Sequence, residues 1–230
     1  MDSILAQNGY QIIRSNFSPT EIEELRKEAD QVAKTEGSVC VRRLRDKSEL
    51  FFQLATSTRL QKLLPDTLIP VRSILFDKTA TENWPVAWHQ DLTIAVKQEK
   101  ETAGYTPWSS KDGIPHVQPP AQLLEQMLTV RIHLDDTPAS NGALKVIPES
   151  HLQGKIPTAE VRPLTADSAV TCVCEAGDIL LMSPLLLHAS SRSLKPDRRR
   201  VIHFEYAPQQ ALDANLEWYE SDDPSQLVPS

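Results

Sequence analysis

Gly177-Asp178-Ile179-Leu180-Leu181-Met182-Ser183-Pro184-Leu185-Leu186-Leu187-His188 opens on a turn pair, continues as a near-continuous apolar run and ends on a histidine. Such a run, bounded by turn residues, reads as a strand buried on both faces. An imidazole at its inner end is costly to bury unpaired. His188 therefore reads either as an ion ligand or as a core histidine satisfied by a protein partner.

Short β-like runs recur on either side, over 71–76, 88–96, 127–134, 143–147, 169–173, 179–187 and 199–206, with Gly, Pro and Asp turns between them. Many short strands so punctuated predict a sandwich or jelly roll. Upstream, a strand-like segment at 10–13 precedes Ser18-Pro19-Thr20-Glu21, a capping box with proline at the first helical position. That cap competes with reading Asn16-Phe17-Ser18 as a glycosylation sequon. The helix it starts reaches about residue 34 and carries Ile22, Leu25, Ala29 and Val32 as an apolar stripe. A second helix is expected over 48–64, stopped by Pro65. The expectation is one domain over 1–230, mainly β with buttressing helices: 1–66 as helical support and 71–206 as the core.

Composition narrows the function. With 31 acidic against 24 basic residues the net charge is −7 and the pI near 5.4, no electrostatic footprint for nucleic acid. A small-molecule substrate is the expectation. The first residues lack a basic region followed by an apolar run, and no apolar stretch reaches membrane-spanning length, so a soluble cytoplasmic protein is expected. Cys40, Cys172 and Cys174 do not form a disulfide framework, and the C-x-C pair reads as small core residues. The Pro-Ser-rich end after Asp213 is expected to be loosely held.

The candidate chemistry starts at Trp88-His89-Gln90-Asp91. On a strand, His89 and Asp91 share a face and offer an imidazole nitrogen and a carboxylate oxygen to one ion, while Gln90 points away. Alone, such a pair is common on solvated surfaces. Joined by His188 it gives a carboxylate and a pair of histidines that leave one face of an octahedron open, an arrangement suited to Fe(II) activating dioxygen. In 127–134, Thr129, Arg131 and His133 fall on one face and Val130, Ile132 and Leu134 on the other, so the polar row faces a cavity or solvent. Lys78 ends the run from Ile74 and reads either as reaching into a site or as an exposed strand-end lysine. The connection 97–126 begins polar but carries Tyr105, Trp108, His116 and Pro119-Pro120. Long connections are often lids, and this one is expected to cover the substrate, with Trp108 and His116 as contacts; for His116 the alternative is capping a turn.

Trp88-His89-Gln90-Asp91-Leu92, Asn141-Gly142-Ala143-Leu144 with Pro148 and Ser150-His151, Ala176-Gly177-Asp178, and His188-Ala189-Ser190 followed by Arg199 together resemble the phytanoyl-CoA dioxygenase family, over roughly 71–206. The resemblance implies a double-stranded β-helix of the cupin-like jelly-roll kind. It implies an iron-dependent oxygenase consuming 2-oxoglutarate and O2, with His89, Asp91 and His188 as catalytic metal ligands for Fe(II). Arg199, eleven residues after His188, stands at the spacing of the family's co-substrate arginine. Ser190 matches the serine that helps hold the same carboxylate; Thr129 and Lys78 are further candidates for co-substrate contacts, and Arg131 and His133 for substrate contacts. Strand alternation sends Arg199 inward and Arg198 and Arg200 outward, unless the register slips by one. The family pattern has an aromatic side chain where this strand carries Arg131. Asp91 stands where related halogenases have a small residue, so hydroxylation is the expected outcome. The alternatives are a jelly-roll zinc hydrolase or isomerase, which would not need Arg199, and a non-catalytic binding module.

Overall fold

Parity along the strands sorts this chain into layers. In the computed structural model, which describes residues 3–164, 168–194 and 198–220, the strands are β1 (Tyr10–Ile13), β2 (Cys40–Arg42), β3 (Leu68–Lys78), β4 (Val86–His89), β5 (Ile94–Ala95), β6 (Trp108–Lys111), β7 (Ile114–Val117), β8 (Leu128–His133), β9 (Leu144–Val146), β10 (Val170–Cys172), β11 (Ile179–Met182), β12 (His188–Ser190) and β13 (Arg199–Pro208). They form a six-stranded sheet in the order β1-β11-β8-β13-β3-β2, a four-stranded sheet β10-β9-β12-β4, and a small sheet β5-β7-β6. The two larger sheets make the double-stranded β-helix, with a cavity lined from both.

The outer face of the large sheet is apolar. Leu75, Val130, Ile132, Ile179, Leu181, Ile202 and Phe204 join Ile22, Leu25, Ala29 and Val32 of the helix Pro19–Glu36 in one buried cluster. Each such side chain contributes roughly 1.5–3 kcal/mol on leaving water, which fixes the helix against the sheet. The capping box forms as the residues predict: Ser18 Oγ accepts from Glu21 N, and Glu21 Oε2 accepts from Ser18 N.

Several expectations need correction. The stretch 48–64 is broken into the helices Glu49–Ala55 and Thr58–Gln61, because Ser57 is extended and its Oγ caps a new start by accepting from Leu60 N. The part before residue 66 is more than helical support, since β1 and β2 are the two edges of the six-stranded sheet. The strand expected over 88–96 stops at His89 and resumes at Ile94. The run 179–187 is not one strand: Ser183-Pro184 turns the chain, Leu186 N donates to Ser183 O, and His188 starts β12 in the opposite sheet.

The connection 97–126 holds a β6–β7 hairpin and the helix Ala121–Leu124. Its Tyr105, Val117, Leu123 and Leu124 pack with Leu216 and Trp218 in a second apolar cluster. The chain past Asp213 is therefore held, not loose, through Glu220, with Trp218 bridged to Val96; residues 221–230 lie outside the described part. No helix among the described residues is long and apolar enough to cross a membrane.

Glu220 anchors that final segment. Its carboxylate accepts from the Ser73 N–H at 2.9 Å and the Ser73 hydroxyl at 2.5 Å. Burial pushes its carboxyl up to about 7, against the pull of the Ser73 hydrogen bonds. A carboxyl raised on folding holds its proton in the native state after the unfolded chain has lost its own, so stability falls as pH rises from 4.5 through about 7. Glu220→Gln is expected to flatten that fall and to exceed the wild type by up to about 3 kcal/mol at about pH 8. Urea titrations of both proteins across the window check this; parallel stability curves would refute it.

Candidate active site

The register of β12 against β4 sets His188 directly opposite His89, and their ring centroids lie 4.2 Å apart. Each imidazole is oriented by the carbonyl two residues before it: His89 Nδ1 bonds Ala87 O and His188 Nδ1 bonds Leu186 O, both at 2.8 Å. Carbonyl oxygens only accept, so both rings carry the proton on Nδ1 and leave the Nε2 lone pairs free. Asp91 lies past the end of β4, so strand alternation does not align it with His89. The turn does: Asp91 N donates to Pro184 O at 2.9 Å. Gln90 clamps the same turn, donating to Gly154 O and Leu185 O and accepting from Ile156 N.

Asp91 then places Oδ1 3.5 Å from His89 Nε2 and Oδ2 3.6 Å from His188 Nε2. One donor atom from each of these residues lies within 4.8 Å of the others, a spacing that fits a single ion. The electrostatics agree. Burial raises the Asp91 carboxyl, but His188 and His89 outweigh it and hold it well below the usual carboxylate range. Burial pulls His188 down to about 4, keeping it a neutral donor. For His89 burial also lowers the pKa, but Asp91 overrides it and leaves a net rise, a pull that a bound cation would remove.

A cavity of about 190 Å³ opens beside these residues. Arg199 lines it, from the first position of β13, directly across from Lys78 on β3. Arg198 and Arg200 point out of the barrel, Arg198 to Asp77 at 3.0 and 2.7 Å and Arg200 to Asp135 at 2.9 and 2.7 Å. Ser190 and Lys78 share the Arg199 end, with Lys78 Nζ 3.3 Å from Ser190 Oγ and bonded to Trp84 O at 2.5 Å. Lys78 is thus a buried cavity residue, not an exposed strand end. Burial and then the Arg199 and Arg131 charges pull its ammonium down to about 7.

The polar row of β8 does face inward, but only Arg131 reaches the cavity wall. Thr129 is fully buried opposite Glu205, and His133 is engaged with Thr137 Oγ1 at 3.0 Å. Neither lines the cavity. Trp108 and His116 do not reach it either, because the β6–β7 hairpin turns Trp108 onto the second apolar cluster and buries His116, whose Nδ1 bonds Ile114 O. Residues not anticipated from sequence also line it, among them Arg72, Ile74, Phe76, Trp84, His203 and Glu205. His203 and Glu205 share the parity of Arg199 on β13, a signal that was present in the sequence.

The chain matches the family model described as Phytanoyl-CoA dioxygenase (PhyH) over residues 5–201. No curated protein sequence matches it. Among solved structures it is similar to the non-heme alpha ketoglutarate dependent carbocyclase SnoK from nogalamycin biosynthesis, at 19% identity and TM-score 0.66, covering 90% of this chain and 82% of that one. The epimerase SnoN in complex with Fe3+, alpha ketoglutarate and nogalamycin RO gives 18% identity and TM-score 0.69, covering 90% and 82%. HygX from Streptomyces hygroscopicus with nickel and 2-oxoglutarate bound gives 18% and 0.65, covering 89% and 84%.

Replacing any one of His89, Asp91 or His188 by Ala should lower divalent-metal affinity by about 100-fold or more, while Gln90→Ala, which frees only the turn, should lower it by about tenfold. Calorimetric titration with Ni(II) reads both. Wild-type affinity in a triad variant would remove that residue from the site.

Proposed function

The chain belongs to the phytanoyl-CoA dioxygenase family, and on that premise we propose that it is an Fe(II)- and 2-oxoglutarate-dependent oxygenase that hydroxylates a C–H bond of a small molecule. The observation that carries this reading is the convergence of His89, Asp91 and His188 with Arg199, Lys78 and Ser190 on one cavity. A zinc hydrolase or isomerase would have no use for a buried guanidinium at the far end of its pocket.

In this reading His89, Asp91 and His188 hold Fe(II), which, with 2-oxoglutarate and O2 bound, supplies the oxidising power for oxygen insertion, with succinate and CO2 as co-products. The residues of the chain do the rest. The Nδ1–H bonds of His89 and His188 keep both Nε2 atoms aimed at the ion, and Asp91 stays ionised to neutralise part of its charge. Arg199 offers its guanidinium to the distal carboxylate of 2-oxoglutarate, with the Ser190 hydroxyl and Lys78 ammonium beside it. Gly142 supports that arginine: its carbonyl accepts from Arg199 Nη1, and at φ +66° a Cβ would meet Ser191 O at 2.6 Å. Ile74, Phe76, Trp84, Val86 and Leu144 give the cavity apolar walls that limit water around the reacting centre. The segment 97–126 contributes no lining residue in this conformation, so its proposed role as a lid would require it to close over the cavity.

The test is succinate release from 2-oxoglutarate under aerobic Fe(II) conditions, with product mass as a second readout. Hydroxylation adds one oxygen to the substrate, whereas a cyclisation or epimerisation does not. Arg199→Gln should raise the KM for 2-oxoglutarate by about 10- to 100-fold while Arg198→Gln shifts it by less than about threefold. The reverse order would mean that the β13 register is off by one.

Lys78 adds a pH dependence. Its ammonium, lowered to about 7, is charged below that value and neutral above it, so affinity for the 2-oxoglutarate dianion should weaken as pH rises through and beyond 7. Bound dianion raises the Lys78 pKa in the complex, which spreads the loss upward. Lys78→Met should bind more weakly and with a flat profile over about pH 6–9; a wild-type profile equally flat would dismiss Lys78 from the co-substrate site.

A further inference from the structure

Arg131 enters the cavity from β8 in the layer that His203 and Ile74 complete from β13 and β3. Its Nη1–H donates to His203 Nδ1 at 2.9 Å, which leaves the His203 proton on Nε2, facing Glu205 Oε1 at 3.2 Å. That same Glu205 oxygen accepts from Arg72 Nη1 at 3.0 Å. The carboxylate is thus the partner of Arg72, and what Arg131 meets is an imidazole that burial keeps neutral. Its Nε is buried with no hydrogen-bond partner among the described residues, and the Phe76 ring lies 5.7 Å from the guanidinium. An arginine stays charged, and its burial is costly without a counter-charge; the carboxylate that acts on it, Asp91, would be engaged by an ion on the triad. A ligand anion would relieve that cost.

The charge balance of the cavity says what is missing. A divalent ion on His89, Asp91 and His188 carries one net positive charge, Arg199 and Arg131 add two, and Arg72 cancels Glu205. The 2-oxoglutarate dianion removes two. One positive charge is left even when Lys78 is counted as neutral, and this holds whichever guanidinium grips which co-substrate carboxylate. Arg131 lines the cavity and, among the described residues, bonds only His203 through Nη1, so the free end of its planar guanidinium is left to match a carboxylate. The cavity walls from Phe76 beside it to Ile74 and Trp84 are apolar or aromatic.

The geometry points to a substrate that is itself a small carboxylic acid with an apolar body, its carboxylate held by Arg131 and its hydrocarbon part laid along Ile74, Phe76 and Trp84. This rests on the oxygenase reading and deepens it: Arg131 becomes the residue that selects an acid over its neutral analogues, at the position where the family pattern has an aromatic ring.

The experiment uses the full chain loaded with Ni(II), which cannot turn over, with and without 2-oxoglutarate. Hexanoate and benzoate are titrated against hexanamide and benzamide by calorimetry. Both acids should bind, each at least about tenfold more tightly than its amide. Arg131→Gln should abolish that preference while shifting 2-oxoglutarate affinity by less than about threefold, and Arg131→Lys, which keeps the charge without the fork, should fall between. Acids and amides binding alike, or no acid binding up to about 20 mM, would overturn the inference. So would an Arg131→Gln variant that loses 2-oxoglutarate and keeps the acids, which would give Arg131 to the co-substrate. The acid–amide contrast is read on the wild type and stands even if a variant does not fold. A wild type that takes up acids through Arg131 but neither binds 2-oxoglutarate nor releases succinate would sink the oxygenase reading and leave the carboxylate site standing.

Discussion

The register of β13 is the constraint on which the rest of this structure depends. Its side chains alternate between cavity and outside, so a slip of one residue would exchange Arg199, His203 and Glu205 for Arg200, Phe204 and Tyr206. Hydrogen-bonded pairing on both flanks sets the register, and the outward arginines lock it: Arg198 is forked onto Asp77, and Arg200 onto Asp135 with Asp30 in addition. These pairs stand behind the sheet while the Arg199 guanidinium between them, bonded to Gly142 O, faces in. The apolar parity of the same strand, Ile202 and Phe204, packs into the helix-covered cluster. Polar anchors and hydrophobic burial therefore vote for the same alignment.

The second sheet supplies what the first lacks. His89 and His188 come together because β4 and β12 are hydrogen-bonded neighbours, and each ring is held by a carbonyl of its own chain segment. Ser150 joins this scaffold: its hydroxyl accepts from Leu187 N at 2.8 Å, immediately before His188. Donor geometry at the candidate metal site is thus written largely in backbone, which is stiffer than a chain of side-chain contacts. The cavity between the sheets then sees one negatively charged ligand, Asp91, against a predominantly cationic inner wall. That imbalance suits the pocket to anions, as the proposed co-substrate and substrate require.

Much of this was legible in the residues. The capping box at Ser18, the stripe from Ile22 to Val32, the inward Arg199 and the outward Gln90 followed from local rules, because each depends on spacing within one element. The triad His89, Asp91 and His188 was found for a partly mistaken reason, since Asp91 is placed by a turn and His188 by a different strand from the one expected. Tertiary placement decided the rest. Whether Lys78 is exposed depends on Trp84 and Ser190 closing over it, and whether Trp108 meets the cavity depends on how a hairpin folds back onto Trp218. Gly177 illustrates the same limit: a turn was readable there, but not that its φ of +94° lets Phe17 O come within 2.7 Å of where a Cβ would sit.

The position of β13 also bears on how the chain can reach this state. Within the six-stranded sheet it is the strand that joins β1-β11-β8 to β3-β2, and it comes last in sequence. While the polypeptide is being synthesised, everything before residue 199 can form at most two separate pieces of that sheet, each with an open edge facing the other. Closure waits for a segment whose partner β3 lies more than a hundred residues upstream, a pairing with a large loop-closure entropy. The nascent protein is therefore most exposed to wrong edge-to-edge association just before its final strand arrives. Arg199, which completes the cavity wall, arrives with that strand, so an assembled barrel and a finished cavity appear in the same step.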